Sequence, residues 1–235
     1  MDGSPSDVPA TTFVLVHGAW HSGWAWERVT PLLRATGAQV VAPDLTHDRD
    51  IGLHTHVAEV VAVLDAVPGD RAVVLVGHSY AGLVVRQAAD SRAERVASIV
   101  LVEGWAGGDG TSVFTLAPAW FTDTVRTSAQ ARGDGWRVPA PAPAAFGIDD
   151  AADAAWLRRR LHPHPLRAFA EPTRLTGAVD RIPGTGIYCR PQTFPFADLA
   201  EGLGYDLVAV DGPHDVMLTH PESLARELLA ASRWR

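Results

Sequence analysis

The 235-residue sequence predicts an α/β fold: a six-stranded, mostly parallel, doubly wound sheet with a helical cap inserted after the fourth strand. Three observations predict it. Short runs rich in Val, Ile and Leu recur without period-2 alternation, as strands buried on both faces require. Stretches of helical periodicity separate them, the rhythm of a parallel sheet covered by helices. One long stretch, 104–173, breaks that rhythm and reads as an insertion, because it is too long for a plain connection.

Taken in order, residues 1–11 are polar and Pro-containing and predict a disordered or extended segment. Thr12 to Val16 is the first strand candidate. Trp26, Val29 and Leu33 then fall at helical spacing, and Pro31 among them predicts a kink or a restart capped by Thr30. Gln39 to Ala42 is the second strand. Val57, Val60, Val61 and Leu64 mark the next helix. Ala72 to Val76 and Ala97 to Val102 are the third and fourth strands.

The insertion carries Trp105, Trp120, Trp136 and Trp156, the Pro-rich VPAPAPAAF at 138–146, and helical patterns near 115–131 and 150–161. Its aromatics fit either a small core of its own or the wall of an apolar pocket. Gly186 to Cys189 and Asp206 to Val210 complete the sheet. The last helix opens near Pro221, a favoured first-turn residue, with Leu224, Ala225, Leu228 and Leu229 facing inward. The core is therefore 12–103 with 174–235, and the cap is 104–173.

Composition narrows the partners. The net charge is -7 with the acids dispersed, which argues against a nucleic-acid surface. Arg158-Arg159-Arg160 is read as a solvated helix face. All 20 basic residues are Arg, and Cys189 is the single cysteine, so no intrachain disulfide forms. The N-terminal residues lack a basic and an apolar region of the secretory type, and no apolar run approaches the roughly 20 residues of a membrane span. These features predict a soluble, cytoplasmic protein with neither membrane nor nucleic acid as partner; homodimerisation is left open.

The chemistry centres on Gly77-His78-Ser79-Tyr80-Ala81-Gly82. A buried strand precedes it and a helix follows, the setting of a nucleophile elbow. Ala81 stands where a second Gly is usual, and Gly82 comes next. The turn needs small residues around Ser79 so that strand and helix can approach, and Gly77, Ala81 and Gly82 supply them. A serine hydroxyl needs a positioned base. Among the ten His, His214 follows the last strand, on the sheet edge where loops after strand C-termini converge.

An oxyanion needs preorganised N–H donors. The turn His17-Gly18-Ala19-Trp20 after the first strand offers the Ala19 N–H, to pair with that of Tyr80. His17 and Gly18 then shape the loop without reacting. The loop after the fifth strand, 189–193, holds no carboxylate. Glu103, at the end of the fourth strand, is the preferred acid to hold the His214 tautomer, with Asp198, already inside a helix, as the alternative. Asp215 is expected to brace its loop and Asp44 to be structural.

His47, His54 and His56 cluster with Asp44, Asp48 and Asp50, a composition that could hold a metal. A solvated loop is the preferred reading. His162-Pro163-His164-Pro165 is read as a helix stop. No metal and no cofactor are expected.

FVLVHGAWHSGWAW at 13–26, GHSYAG at 77–82 and GPHDVMLTHP at 212–221 together resemble the α/β-hydrolases. More closely, they are similar to the compact branch of plant methyl esterases of the salicylate-binding type, hydroxynitrile lyases and bacterial pyrethroid-hydrolase-like esterases. The resemblance implies a strand order 2-1-3-4-5-6, a helical cap over the serine, Ser79 as nucleophile, His214 as base, and Ala19 and Tyr80 as oxyanion donors. The chain departs from the plant branch in lacking an acid after the strand ending at Cys189.

The function expected is a serine hydrolase that cleaves a small apolar or aromatic ester, thioester or lactone. Trp20, Tyr80, Trp105, Trp120 and Trp136 would surround the substrate. Two other classes are kept: a lyase or cyclase using Ser79 and His214 for proton transfer, and a non-enzymatic small-molecule receptor. Cyanide-releasing lyases of this fold depend on a lysine, and the chain has none. Epoxide hydrolysis and dehalogenation need a carboxylate at position 79.

Overall fold

The structure, a computed structural model, describes residues 10–232. Six strands form one parallel sheet: β1 (Thr11–Val16), β2 (Gln39–Val41), β3 (Ala72–His78), β4 (Val96–Val102), β7 (Gly184–Arg190) and β8 (Asp206–Asp211), in the order β2-β1-β3-β4-β7-β8. Counted by core strands alone, this is 2-1-3-4-5-6. Two further two-residue strands, β5 (Arg137–Val138) and β6 (His164–Pro165), pair antiparallel within the insertion.

The buried runs explain the sheet. Phe13 to Val16 and Val73 to His78 are buried without interruption, as two-sided coverage demands. Removing each such Val or Leu from water stabilises the fold by roughly 1.5–3 kcal/mol. Helices α1 (Thr30–Arg34), α2 (Leu53–Ala66), α3 (Ala81–Ser91) and α10 (Pro221–Ala231) cover it, with α2 packed on α3 and α1 on α10.

Register then sets the site. Val16 pairs with Gly77, His78 with Val102, Val102 with Ile187 and Arg190 with Asp211. The loops after β1, β3, β4 and β8 consequently open on one edge.

Between β4 and β7 lie α4 (Val113–Leu116), α5 (Ala119–Arg132), α6 (Ala151–Arg158) and α7 (Leu166–Ala170). They stand over that edge. After β7 come α8 (Phe196–Glu201) and, after β8, α9 (Val216–Thr219).

Several expectations are corrected. The extended segment expected at 1–11 lies outside the described residues up to residue 9, and Thr11 is already in β1. Thr30 does not cap α1: a single 3-10 turn at Gly23–Trp26 leads almost directly into it, Val29 is itself helical, and no side-chain cap bond forms. The pair β5/β6 went unread because two-residue strands carry no periodicity.

The solvated loop expected after the second strand holds only in part: residues 42–52 are irregular with Asp44, Asp48 and Asp50 exposed, but the histidines that follow are not in it. His54 and His56 belong to α2, and His56 is buried, its Nε2–H donating to the Thr46 carbonyl at 2.8 Å and its Nδ1 accepting the Tyr80 hydroxyl at 2.7 Å. His164 is likewise buried in β6 and not merely a residue of a helix stop. Among the described residues, no three His, Cys, Asp or Glu side chains are grouped as metal ligands. No helix among those residues is long and apolar enough to cross a membrane.

Candidate active site

Ser79 stands between β3 and α3 with φ +53°, a left-handed backbone that costs a non-glycine residue on the order of 1–3 kcal/mol. The surroundings hold it there. Its N–H donates to the Val102 carbonyl at 3.1 Å, and its carbonyl accepts the N–H groups of Gly82 and Trp105, each at 3.0 Å. Close packing requires the small neighbours: a Cβ on Gly77 would sit 2.7 Å from the Ala81 carbonyl oxygen, and one on Gly82 would collide with the Trp105 backbone. Ser79 keeps 9% of its surface exposed, and it borders an open space.

That space is a cavity of about 420 Å³ under the cap. Ser79, His214, Ala19 and Trp20 line it from the core. Trp120, Phe121, Val138, Phe146 and Phe169 close it from the cap, and Trp105, Phe194 and Phe196 wall the side near β7. Aromatic rings form much of its wall, and among the described residues no carboxylate lines it. Thr124, Ser128 and Arg132, at successive i, i+4 positions of α5, add a polar stripe.

His214 lies in the loop after β8, stacked on Phe196 at 5.6 Å and tilted against His78 at 4.7 Å. Its Nδ1–H donates to Glu103 Oε2 at 3.2 Å. Glu103 is 1% exposed and, like Ser79, left-handed, with φ +49°. Its other oxygen accepts the Cys189 N–H at 2.6 Å. With Nδ1 committed as a donor, Nε2 is left as the unprotonated nitrogen. Ser79 and His214 face the same cavity without a direct hydrogen bond between them, an arrangement common before substrate arrives. Asp198 is exposed on the first turn of α8, away from this chain of contacts.

Neither the Ala19 N–H nor the Tyr80 N–H donates to an acceptor among the described residues. His17 holds the turn: its Nδ1–H donates to the Gly18 carbonyl at 2.8 Å and its Nε2 accepts the Leu45 N–H at 3.0 Å. Burial keeps the His17 pKa well below the usual value, so the ring stays neutral. Asp44 accepts the Gly23 N–H at 2.7 Å and orders the same loop.

Two pocket expectations change. The Tyr80 ring does not reach the mouth; it is fully buried, bonded to His56 and packed edge-on against Phe169. Trp136 is not among the lining residues, because it sits in the turn before β5 with the Arg137 guanidinium 5.4 Å above its ring. Trp20, Trp105 and Trp120 do line the cavity.

Sequence reasoning missed Phe146, Phe169, Phe194 and Phe196. Phe194 and Phe196 carried a usable signal, since they follow a core strand on the active edge. It also missed His21, whose ring bonds Ala19 and Asp215.

The chain matches the model of the alpha/beta hydrolase family over residues 13–227. It is 32% identical over 241 residues to the carbendazim hydrolyzing esterase of Nocardioides sp. (strain SG-4G), covering 93% of this chain and 98% of that protein. It is 38% identical over 99 residues to methylesterase 2 of Arabidopsis thaliana, covering 38% of each. Among solved structures, an extracellular alpha/beta-hydrolase from a Paenibacillus species superposes with a TM-score of 0.84 at 22% identity, covering 95% of this chain and 100% of that one. With the match spanning nearly all of the sheet and the cap, the chain belongs to the alpha/beta hydrolase family.

Proposed function

We propose that this protein is a serine hydrolase that cleaves small apolar or aromatic carboxylic esters through an acyl-enzyme on Ser79. The reaction class is ester cleavage. The observation that carries the reading is the sharing of one aromatic cavity by a left-handed Ser79 and a His214 whose Nδ1 is committed to Glu103.

In this reading His214 Nε2 takes the Ser79 hydroxyl proton as the oxygen attacks the ester carbonyl. Glu103 stabilises the imidazolium that forms. The oxyanion is met by the Ala19 and Tyr80 N–H groups, which have no other acceptor among the described residues. Two such donors lower the barrier by several kcal/mol. His214 then protonates the leaving alcohol, and water attacks the acyl-enzyme with His214 again as base. An apolar cavity of this size suits a planar or aryl group of modest bulk. We extend the reading to a cap at 104–173, a core at 12–103 and 174–235, and a cytoplasmic location.

The test is a panel of aryl and methyl esters, with carbendazim included because a relative's name carries it, assayed beside Ser79→Ala. Turnover abolished in the variant supports the reading. Binding of these compounds without turnover by the wild type favours a receptor; conversion without release of an acid favours proton-transfer chemistry.

A further inference from the structure

His21 lies within the oxyanion turn and takes no part in the proton transfers described above. It is 1% exposed, and both ring nitrogens face acceptors: Nδ1 is 2.8 Å from the Ala19 carbonyl oxygen and Nε2 is 3.0 Å from Asp215 Oδ2. A neutral imidazole has one N–H and can satisfy only one of them. With Asp215 ionised, its pKa held below the usual carboxylate range, against its burial, by the charge and hydrogen bond of His21, the geometry calls for the imidazolium. Asp215 is fully buried, and its Oδ1 has no hydrogen-bond partner, so the His21 cation is the charge that balances it.

We propose that His21 and Asp215 form a buried ion pair that positions the oxyanion turn against the catalytic-base loop, making His21 a positioning residue for acylation. The inference rests on the assignment of Ser79 and His214 given above. Each end of the pair grips one loop. Through Nδ1–H, His21 fixes the Ala19 carbonyl, and the next residue, Trp20, is held left-handed at φ +67°. Trp20 is tied to the cap as well, its Nε1–H donating to the Val138 carbonyl at 3.0 Å and its carbonyl accepting the His162 N–H at 2.9 Å. Through its carboxylate, Asp215 fixes the residue that follows His214, and its own N–H donates to the Phe146 carbonyl at 3.2 Å.

The charge has a pH consequence. Burial alone would lower the His21 pKa, but the charge and hydrogen bond of Asp215 outweigh it and leave the pKa raised. The other titratable groups near the ring are His78, His17 and His164, with His47 against the His21 carbonyl, and burial lowers the pKa of all four so that they stay neutral. A raised histidine pKa stabilises the folded state fully below the unfolded value near 6.5, and that contribution is lost as pH rises through the folded value. The turn should loosen on the alkaline side.

The experiment combines nitrogen NMR of 15N-histidine-labelled wild type at pH 7.5 with acylation kinetics of His21→Gln and Asp215→Asn. Two protonated nitrogens on one buried ring, absent in His21→Gln, are expected. Both variants should lose ten-fold or more in kcat with KM within about two-fold. The alkaline limb of the kcat/KM profile should move to lower pH in Asp215→Asn. A singly protonated His21 in the wild type would overturn the proposal, whatever the variants do. Folded variants with wild-type kcat and profile would overturn it too. Fluorophosphonate labelling of wild-type Ser79, run in parallel, separates the two levels: no labelling breaks the hydrolase reading, whereas labelling at equal rates in all three proteins breaks only this one.

Discussion

Glu103 ties the loop after β8 to β7: Oε2 lies 3.2 Å from His214 Nδ1, while Oε1 takes the Cys189 N–H of β7 at 2.6 Å. The carboxylate comes from the end of β4 but is anchored over β7, the strand whose following loop has no acid. Replacing Glu103 with Gln keeps the shape and removes the charge that, in the proposed mechanism, supports an imidazolium. We expect kcat to fall about 10²–10⁴-fold. Asp198→Asn, exposed on α8, should leave kcat unchanged. Steady-state kinetics on an aryl ester checks both, with circular dichroism to verify the fold; the reverse ranking would move the acid to Asp198.

The elbow is tested by Gly77→Ala. The added methyl would lie 2.7 Å from both the Ala81 carbonyl oxygen and Val85 Cγ2, and neither has room to retreat in this packed turn. Overpacking of this kind costs about 1–3 kcal/mol. Urea denaturation should show the midpoint falling with an unchanged slope. A variant as stable as the wild type would mean that strand and helix are not in such close contact.

Trp120 is 59% exposed at the cavity mouth, stacked on Phe194 at 5.6 Å. Trp120→Ala should change stability by no more than about 0.5 kcal/mol, yet lower kcat/KM for an aryl ester by roughly 5–20-fold, carried mainly by KM. Trp136→Ala should leave the kinetics alone, since its ring packs with Arg137 outside the cavity. Paired Michaelis–Menten curves for aryl and short aliphatic esters decide; equal losses at both positions would contradict this cavity.

Acid should destabilise the protein through its histidines before the carboxylates titrate. Burial lowers the His78 pKa to about 3 and that of His164 well below the usual range. An unfolded His titrates near 6.5, so as pH falls through that value the unfolded chain binds protons that the folded chain refuses. Stability is full above 6.5 and lost progressively toward the folded values. The urea midpoint should drop between pH 7 and pH 5. His164 has no partner for either ring nitrogen among the described residues and packs on Phe169 at 4.7 Å, so His164→Phe should flatten that dependence. A midpoint constant over this interval would contradict the account.

Much of this was legible in the chain. The six core strands announced themselves because burial on both faces forces continuous Val/Ile/Leu runs, and their C-terminal edge pointed to Ser79, His214 and Glu103 together. The cap was legible only as an interruption. Its two-residue strands have no period, and its aromatics divide between wall and surface by tertiary contacts that spacing does not encode, which is why Trp136 was misjudged and Phe169 unseen. The fate of His56 was hidden for a similar reason: a polar cluster reads as solvated until a buried hydroxyl, here Tyr80, arrives from another element to satisfy it.

The measurement that bears most directly on the central claim is the intact mass of the protein after exposure to a fluorophosphonate, with peptide mapping, beside Glu103→Gln. The account predicts one adduct, on Ser79, forming much more slowly in the variant. An unlabelled wild type that remains folded would contradict it.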